Sequence, residues 1–124
     1  MSFHITLTSK GMLQDSNGLK IQFTKPFRLR GEWEVAVVNW FCDDNDENFV
    51  WIFCDLVEYT PVNNIPMQLL AIENDAKKKY FKPIYMKVFK KMFSSINVQF
   101  KHDHAKDNFE KIKNATCILH FRKA

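Results

Sequence analysis

Two histidines, His102 and His104, flank Asp103 in the stretch HDH. Residues at i and i+2 of a β-strand project to one face, so the pair offers two imidazoles to a metal ion. It stands, however, where an alternating run passes into the charged segment KHDHAKDNFEKIKN, a pattern that favours a solvated turn. The stretch DDNDEN gathers four carboxylates, Asp43, Asp44, Asp46 and Glu47, with the Asn48 amide beside them. Calcium takes oxygen ligands of this kind, yet the Gly at position 6 and Glu at position 12 of an EF-hand loop are missing. An acidic hairpin loop is the better reading. His4 and His120 lie on the polar sides of alternating runs, so no cupin-like set of His and carboxylate converges. No GxSxG, P-loop or GxGxxG is present, and no Ser or Cys is placed suggestively with a His. Cys42, Cys54 and Cys117 are odd in number and lack zinc spacing, which reads as three reduced, buried thiols in an intracellular protein. The expectation is a protein that is not an enzyme, with no metal site and no cofactor.

Lys77, Lys78 and Lys79 open a run of seven lysines without an acid, ending at Lys91. Tyr80, Phe81, Tyr85 and Phe89 interleave with it, as stacking platforms do in single-strand nucleic-acid binders. The simpler reading makes the aromatics core and the lysines their solvated flanks, so nucleic acid is not the expected partner. Charge is segregated along the chain. Ten acidic residues and no Lys or Arg fall between Gly31 and Ala76, while all 18 basic residues and four acidic ones fall elsewhere. Solvated faces explain this, and so do opposed acidic and basic surfaces that draw neighbouring copies together head to tail in a ring.

The elements that would position these residues follow a period of two. FHITLTS sets Phe3, Ile5 and Leu7 on one face; KIQFTKPFRLR does the same with Ile21, Phe23, Phe27 and Leu29. Pro26 inside that run marks an edge or a bulge. EWEVAVVNWF after Glu34, and FVWIFCDLV from Phe49 to Val57, are apolar on both faces, as strands covered on two sides are. PMQLLAI is a shorter candidate. SINVQFK turns Ile96, Val98 and Phe100 inward; TCILHFRK turns Cys117, Leu119 and Phe121 inward. For YFKPIYMKVFKKMF, a strand from Tyr80 to Met86 and one helical turn around Phe89–Phe93 is preferred to an amphipathic helix from Ile84 to Phe93. Turn chemistry separates these runs at GMLQDSNG, RGE, DDNDEN, TPVNNIP, ENDAKKK and HDHAKDNFEKIKN. Eight strands in a single domain, residues 1–124, point to a compact antiparallel sandwich or small barrel. The strand count alone does not separate a jelly roll from an immunoglobulin-like sandwich or a lipocalin-like barrel. No apolar run approaches the ~18 residues of a membrane span, and no signal peptide is recognisable.

Four segments carry a resemblance, in order. FTKPFRLRGEWEVAVVNW resembles a signature with the core G-x-W-E-V in a protein family of Maverick/Polinton elements and adintoviruses. VWIFCDLVE is similar to that family's Y-x-Y-C-D-I-V-E, YMKVFKKMFSSINVQF to its K-x-x-F-D-S-I-E-I-x-I region, and CILHFRK to its terminal L-H-F-R-R. Departures are PVNNIP where the family has a Val-Gly-Asp turn, Ala71 where it has Arg, and HDHAKDNFEKIKN where it has a Gly-containing turn. The resemblance implies a minor capsid, or penton, protein: an all-β, eight-stranded antiparallel single jelly-roll sandwich with little helix. It implies self-assembly into a cyclic oligomer, a pentamer, alongside the major capsid protein of the same element. The protein would be made inside the host cell and end in the virion. Loops at one end of the roll would line the fivefold axis, with Asp43, Asp44, Asp46, Glu47, Lys77, Lys78, Lys79, His102 and His104 as the interface candidates. A β-sandwich binding module for nucleic acid or carbohydrate is the alternative.

Overall fold

The computed structural model describes residues 1–8, 13–15, 18–42, 50–73, 82–101 and 115–124. Its elements are all strands: β1 (Ser2–Thr8), β2 (Leu13–Asp15), β3 (Gly18–Arg28), β4 (Trp33–Cys42), β5 (Val50–Cys54), β6 (Thr60–Val62), β7 (Ile65–Met67), β8 (Leu69–Glu73), β9 (Met86–Lys87), β10 (Met92–Lys101) and β11 (Ala115–Lys123). They form a four-stranded sheet in the order β1-β11-β4-β9, a five-stranded sheet in the order β2-β3-β10-β5-β8, and the separate β6–β7 hairpin. Every pairing is antiparallel.

The two large sheets pack as a sandwich because alternation gives each one apolar face. Leu7, Val35, Val37, Cys117, Leu119 and Phe121 face inward from the first; Leu19, Ile52, Cys54, Ile96, Val98 and Phe100 from the second. All are at most 1% exposed, and each large one contributes roughly 1.5–3 kcal/mol through burial. Aromatic rings bridge the sheets at one end of this core. Phe3 stacks on Phe121 with centroids 4.8 Å apart and meets Phe27 at 5.3 Å, while Phe27 stacks on Phe93 at 5.6 Å. Cys54 and Cys117 are free thiols inside the core, and burial pushes both upward in pKa, Cys54 to about 12.

Several sequence expectations change in detail. Eleven strands are present among the described residues; the additional ones, β2, β6 and β7, have three residues each. β2 lies inside the GMLQDSNG turn candidate. Of the run FVWIFCDLV, Phe49 lies outside the described residues, Val50–Cys54 is a strand, and Asp55 and Leu56 turn the chain. PMQLLAI breaks at Gln68, whose Nε2 donates to the carbonyls of Asp55 and Val57. Residues 89–93 contain no helical turn. The amides of Phe89 and Lys90 donate to the Leu56 carbonyl, and Lys91 accepts from Leu29, so neighbouring strands replace the local bonds of a helix. Of the expected Tyr80–Met86 strand, Lys82–Tyr85 is irregular and only Met86–Lys87 pairs with β4, while Tyr80 and Phe81 lie outside the described residues. Pro26 does mark a bulge: it lies where the β3–β10 register slips by three residues, between the pairs Phe93–Phe27 and Ser95–Gln22.

β4, too, is covered on two sides only in part. Trp33, Val35, Val37 and Trp40 face the core, and Ala36 on the opposite face is fully buried, yet Phe41 is 48% exposed. The turn into β4 is Gly31, at φ 86°, with the Trp33 indole donating to the Arg30 carbonyl at 2.8 Å. A Cβ at position 31 would meet nothing within 4 Å. Gly31→Ala is therefore expected to cost about 1–2 kcal/mol from backbone conformation alone, read as a lower urea midpoint at unchanged slope. An unchanged midpoint would contradict the left-handed corner.

Candidate functional site

The nine expected interface residues, Asp43, Asp44, Asp46, Glu47, Lys77, Lys78, Lys79, His102 and His104, all lie outside the described residues. The strands that flank them are described, and they end together. Cys42 faces Ala115 in one sheet, while Val50 faces Glu73 and Trp51 faces Lys101 in the other. These residues border segments 43–49, 74–81 and 102–114. At the other end of the sandwich, Val88 bonds the Trp33 carbonyl and bridges to Val57, and Phe89 bonds Leu56. The start of β4 and the exit of β5 thus share that second end, which the Ala124 amide closes by donating to Glu32.

Charges at this closed end are met within the molecule. Lys91 Nζ lies 3.1 Å and Lys87 Nζ 3.8 Å from the Glu32 carboxylate, and Lys87 is 3.9 Å from Glu58. The Lys91 hydrogen bond and charge, then Lys87, hold the Glu32 carboxyl below its usual range. Such exposed pairs are worth little each. Two lysines of the basic run thus face carboxylates of the acidic block within one molecule.

On the outer face of the four-stranded sheet, β4, β9 and β11 bring together residues far apart in sequence. His120 lies opposite both His4 and Ala36. Tyr85 leads into β9, and its hydroxyl is 2.8 Å from His120 Nδ1. β9 pairs Met86 with Val35 and Lys87 with Glu34, and Tyr85 immediately precedes it at that edge of β4. Arg122 stacks over the Tyr85 ring, 3.5 Å from its centroid, and donates from Nε to Glu34 at 2.6 Å. The His4 and His120 rings stack at 4.4 Å. The cluster is a polar lid on β4, built on an open sheet face.

Burial first, then the charges of His4 and Arg122, lowers the pKa of His120. A histidine with a depressed folded pKa stabilises the native state fully above its unfolded value, near 6.5, and loses that stabilisation as pH falls through the folded value. His120→Gln is expected to flatten the loss of urea midpoint between about pH 7 and pH 5. An unchanged slope with pH would assign the acid sensitivity to other groups.

Alternation in LHFRK already places His120 and Arg122 on one polar face. Tyr85 is invisible at that level, because only the β4–β9 pairing brings it alongside. Among the described residues, no group of three or more His, Cys, Asp or Glu is arranged to hold a metal ion, and no helix is long and apolar enough to cross a membrane. No protein-family model and no curated protein matches this chain.

Proposed function

We propose that this chain is a structural capsid protein of the minor-capsid type found in Maverick/Polinton elements and adintoviruses. It is a single jelly roll that assembles into a ring of five and works by packing, without turnover. Its partners are further copies of itself and the major capsid protein of the same element, and its place is the virion.

The observation that carries the reading is the pairing scheme. With β2 and the β6–β7 hairpin set aside, eight strands remain, and they pair first with last and so inward: β1 with β11, β3 with β10, β4 with β9, β5 with β8. One long hairpin wound into two facing sheets has this scheme, which supports the jelly-roll form of the sandwich. Fold alone does not fix function. The four ordered segments of resemblance supply the capsid assignment, and the common end shared by the strands flanking 43–49, 74–81 and 102–114 supports a single axial surface. Negative-stain imaging of the purified protein at low salt tests this: five-membered rings are expected, and a field of single 14.7 kDa particles at high concentration would overturn it.

A further inference from the structure

Residues of β5, β10 and the β6–β7 hairpin together line a pocket of about 320 Å³. Asp55, Asn97, Gln99 and Gln68 supply its polar lining, Tyr59 and Phe53 its aromatic lining. That volume lies at the small end of ligand cavities, the size of one side chain or small molecule.

The polar atoms in it are unevenly matched. Asp55 accepts the Asn97 backbone amide through Oδ1 at 3.1 Å, and its own backbone amide also favours the carboxylate. Asn97 Oδ1 is buried and has no hydrogen-bond partner among the described residues. Both Gln68 Nε2 hydrogens go to backbone carbonyls, Asp55 and Val57, leaving its oxygen as the free end of that amide. The spare capacity of the pocket is therefore mostly acceptor, around a half-buried carboxylate. Burial raises the Asp55 pKa against the lowering influence of the Asn97 amide, Lys90, its own backbone amide and Lys20. Neither lysine makes an ion pair with it among the described residues. A half-buried carboxylate gains most from a cation that donates several hydrogen bonds. Tyr59, 64% exposed at the rim, offers an aromatic face to the same cation.

We propose that this pocket binds the cationic head of a basic side chain, guanidinium before ammonium, on the Asp55 carboxylate. A guanidinium carries five donors in a planar fork and loses less on leaving water than an ammonium does. The hairpin that lines the pocket turns on Asn63 and Asn64, both at positive φ, as a two-residue hairpin turn requires, so Tyr59 and Met67 are held by a defined connection.

The test is a titration of the full chain, followed by amide NMR, with N-acetyl-arginine methylamide, its lysine counterpart and the neutral isostere N-acetyl-citrulline methylamide. Saturable shifts centred on Asp55, Gln68 and Asn97 are expected with arginine, smaller ones with lysine and none with citrulline. Asp55→Asn keeps an acceptor for the Asn97 amide and is expected to weaken arginine binding about tenfold or more. Tyr59→Ala, a change at an exposed side chain, is expected to weaken it by a smaller factor. Native mass measured during the titration identifies the source. A falling mass means that a second copy supplies the basic side chain in the assembly; a constant mass means another ligand. Equal binding of citrulline and arginine, or no saturable shift with arginine, overturns the assignment whatever the variants do.

Discussion

Phe121→Ala is expected to lower the melting temperature by about 12–20 °C. Phe121 is fully buried, stacks on Phe3 at 4.8 Å and lies 6.5 Å from Phe93. It thus joins β1 and β11 of one sheet to β10 of the other. Truncating a buried Phe costs about 3–5 kcal/mol, because the transfer free energy is lost and the neighbouring rings only partly collapse into the space. A protein of this size changes by roughly 4 °C per kcal/mol. With total stabilities of about 5–15 kcal/mol, the variant is left with a thin margin at 37 °C. Phe89→Ala is the control: that ring is 65% exposed, and the change should stay within about 0.5 kcal/mol. Equal effects at the two positions would contradict the placement of the aromatic bridge between the sheets.

Reversing charge on the proposed axial surface has the next largest effect. Lys77→Glu, Lys78→Glu and Lys79→Glu together are expected to weaken self-association about tenfold to a hundredfold at low salt. Exposed pairs contribute about 0.2–1 kcal/mol each, and like charges brought together add a penalty of similar size. Asp43→Lys, Asp44→Lys and Asp46→Lys should weaken it by a comparable factor. Combining both sets should recover most of the loss, since attraction between neighbouring copies is restored with its sign exchanged. All of these effects shrink as salt rises through 0.1 M to 1 M, where the screening length falls from about 10 Å to 3 Å. Additive losses in the combined variant would mean that the two segments do not face one another across copies.

Much of the sandwich was legible in the alternation. SINVQFK and TCILHFRK turn the expected residues inward because a period of two maps directly onto the two faces of a strand. Pro26 was legible as a bulge for an equally local reason: it has no amide to give to a ladder. The segment from Ile84 to Phe93 was not. Ile84, Val88 and Met92 have helical spacing, yet only Val88 is buried; Ile84 is 69% and Met92 54% exposed. The backbone there is satisfied by Leu56, Leu29 and Trp33, partners that no local pattern reveals. The same limit hid the Tyr85–His120 contact and the Asp55–Asn97 pocket, both of which exist only through contacts between distant strands. Charge segregation was visible in sequence, but Glu32 facing Lys87 and Lys91 shows that part of it is neutralised within one molecule.

The capsid reading is tested most directly by the native mass of the purified chain, measured by light scattering across a concentration series at low and high salt. Five copies of 14.7 kDa give about 74 kDa. The prediction is a species near that mass at low salt, without larger open chains, that dissociates as salt is raised. A protein that remains at 14.7 kDa at the highest concentration and lowest salt would contradict it.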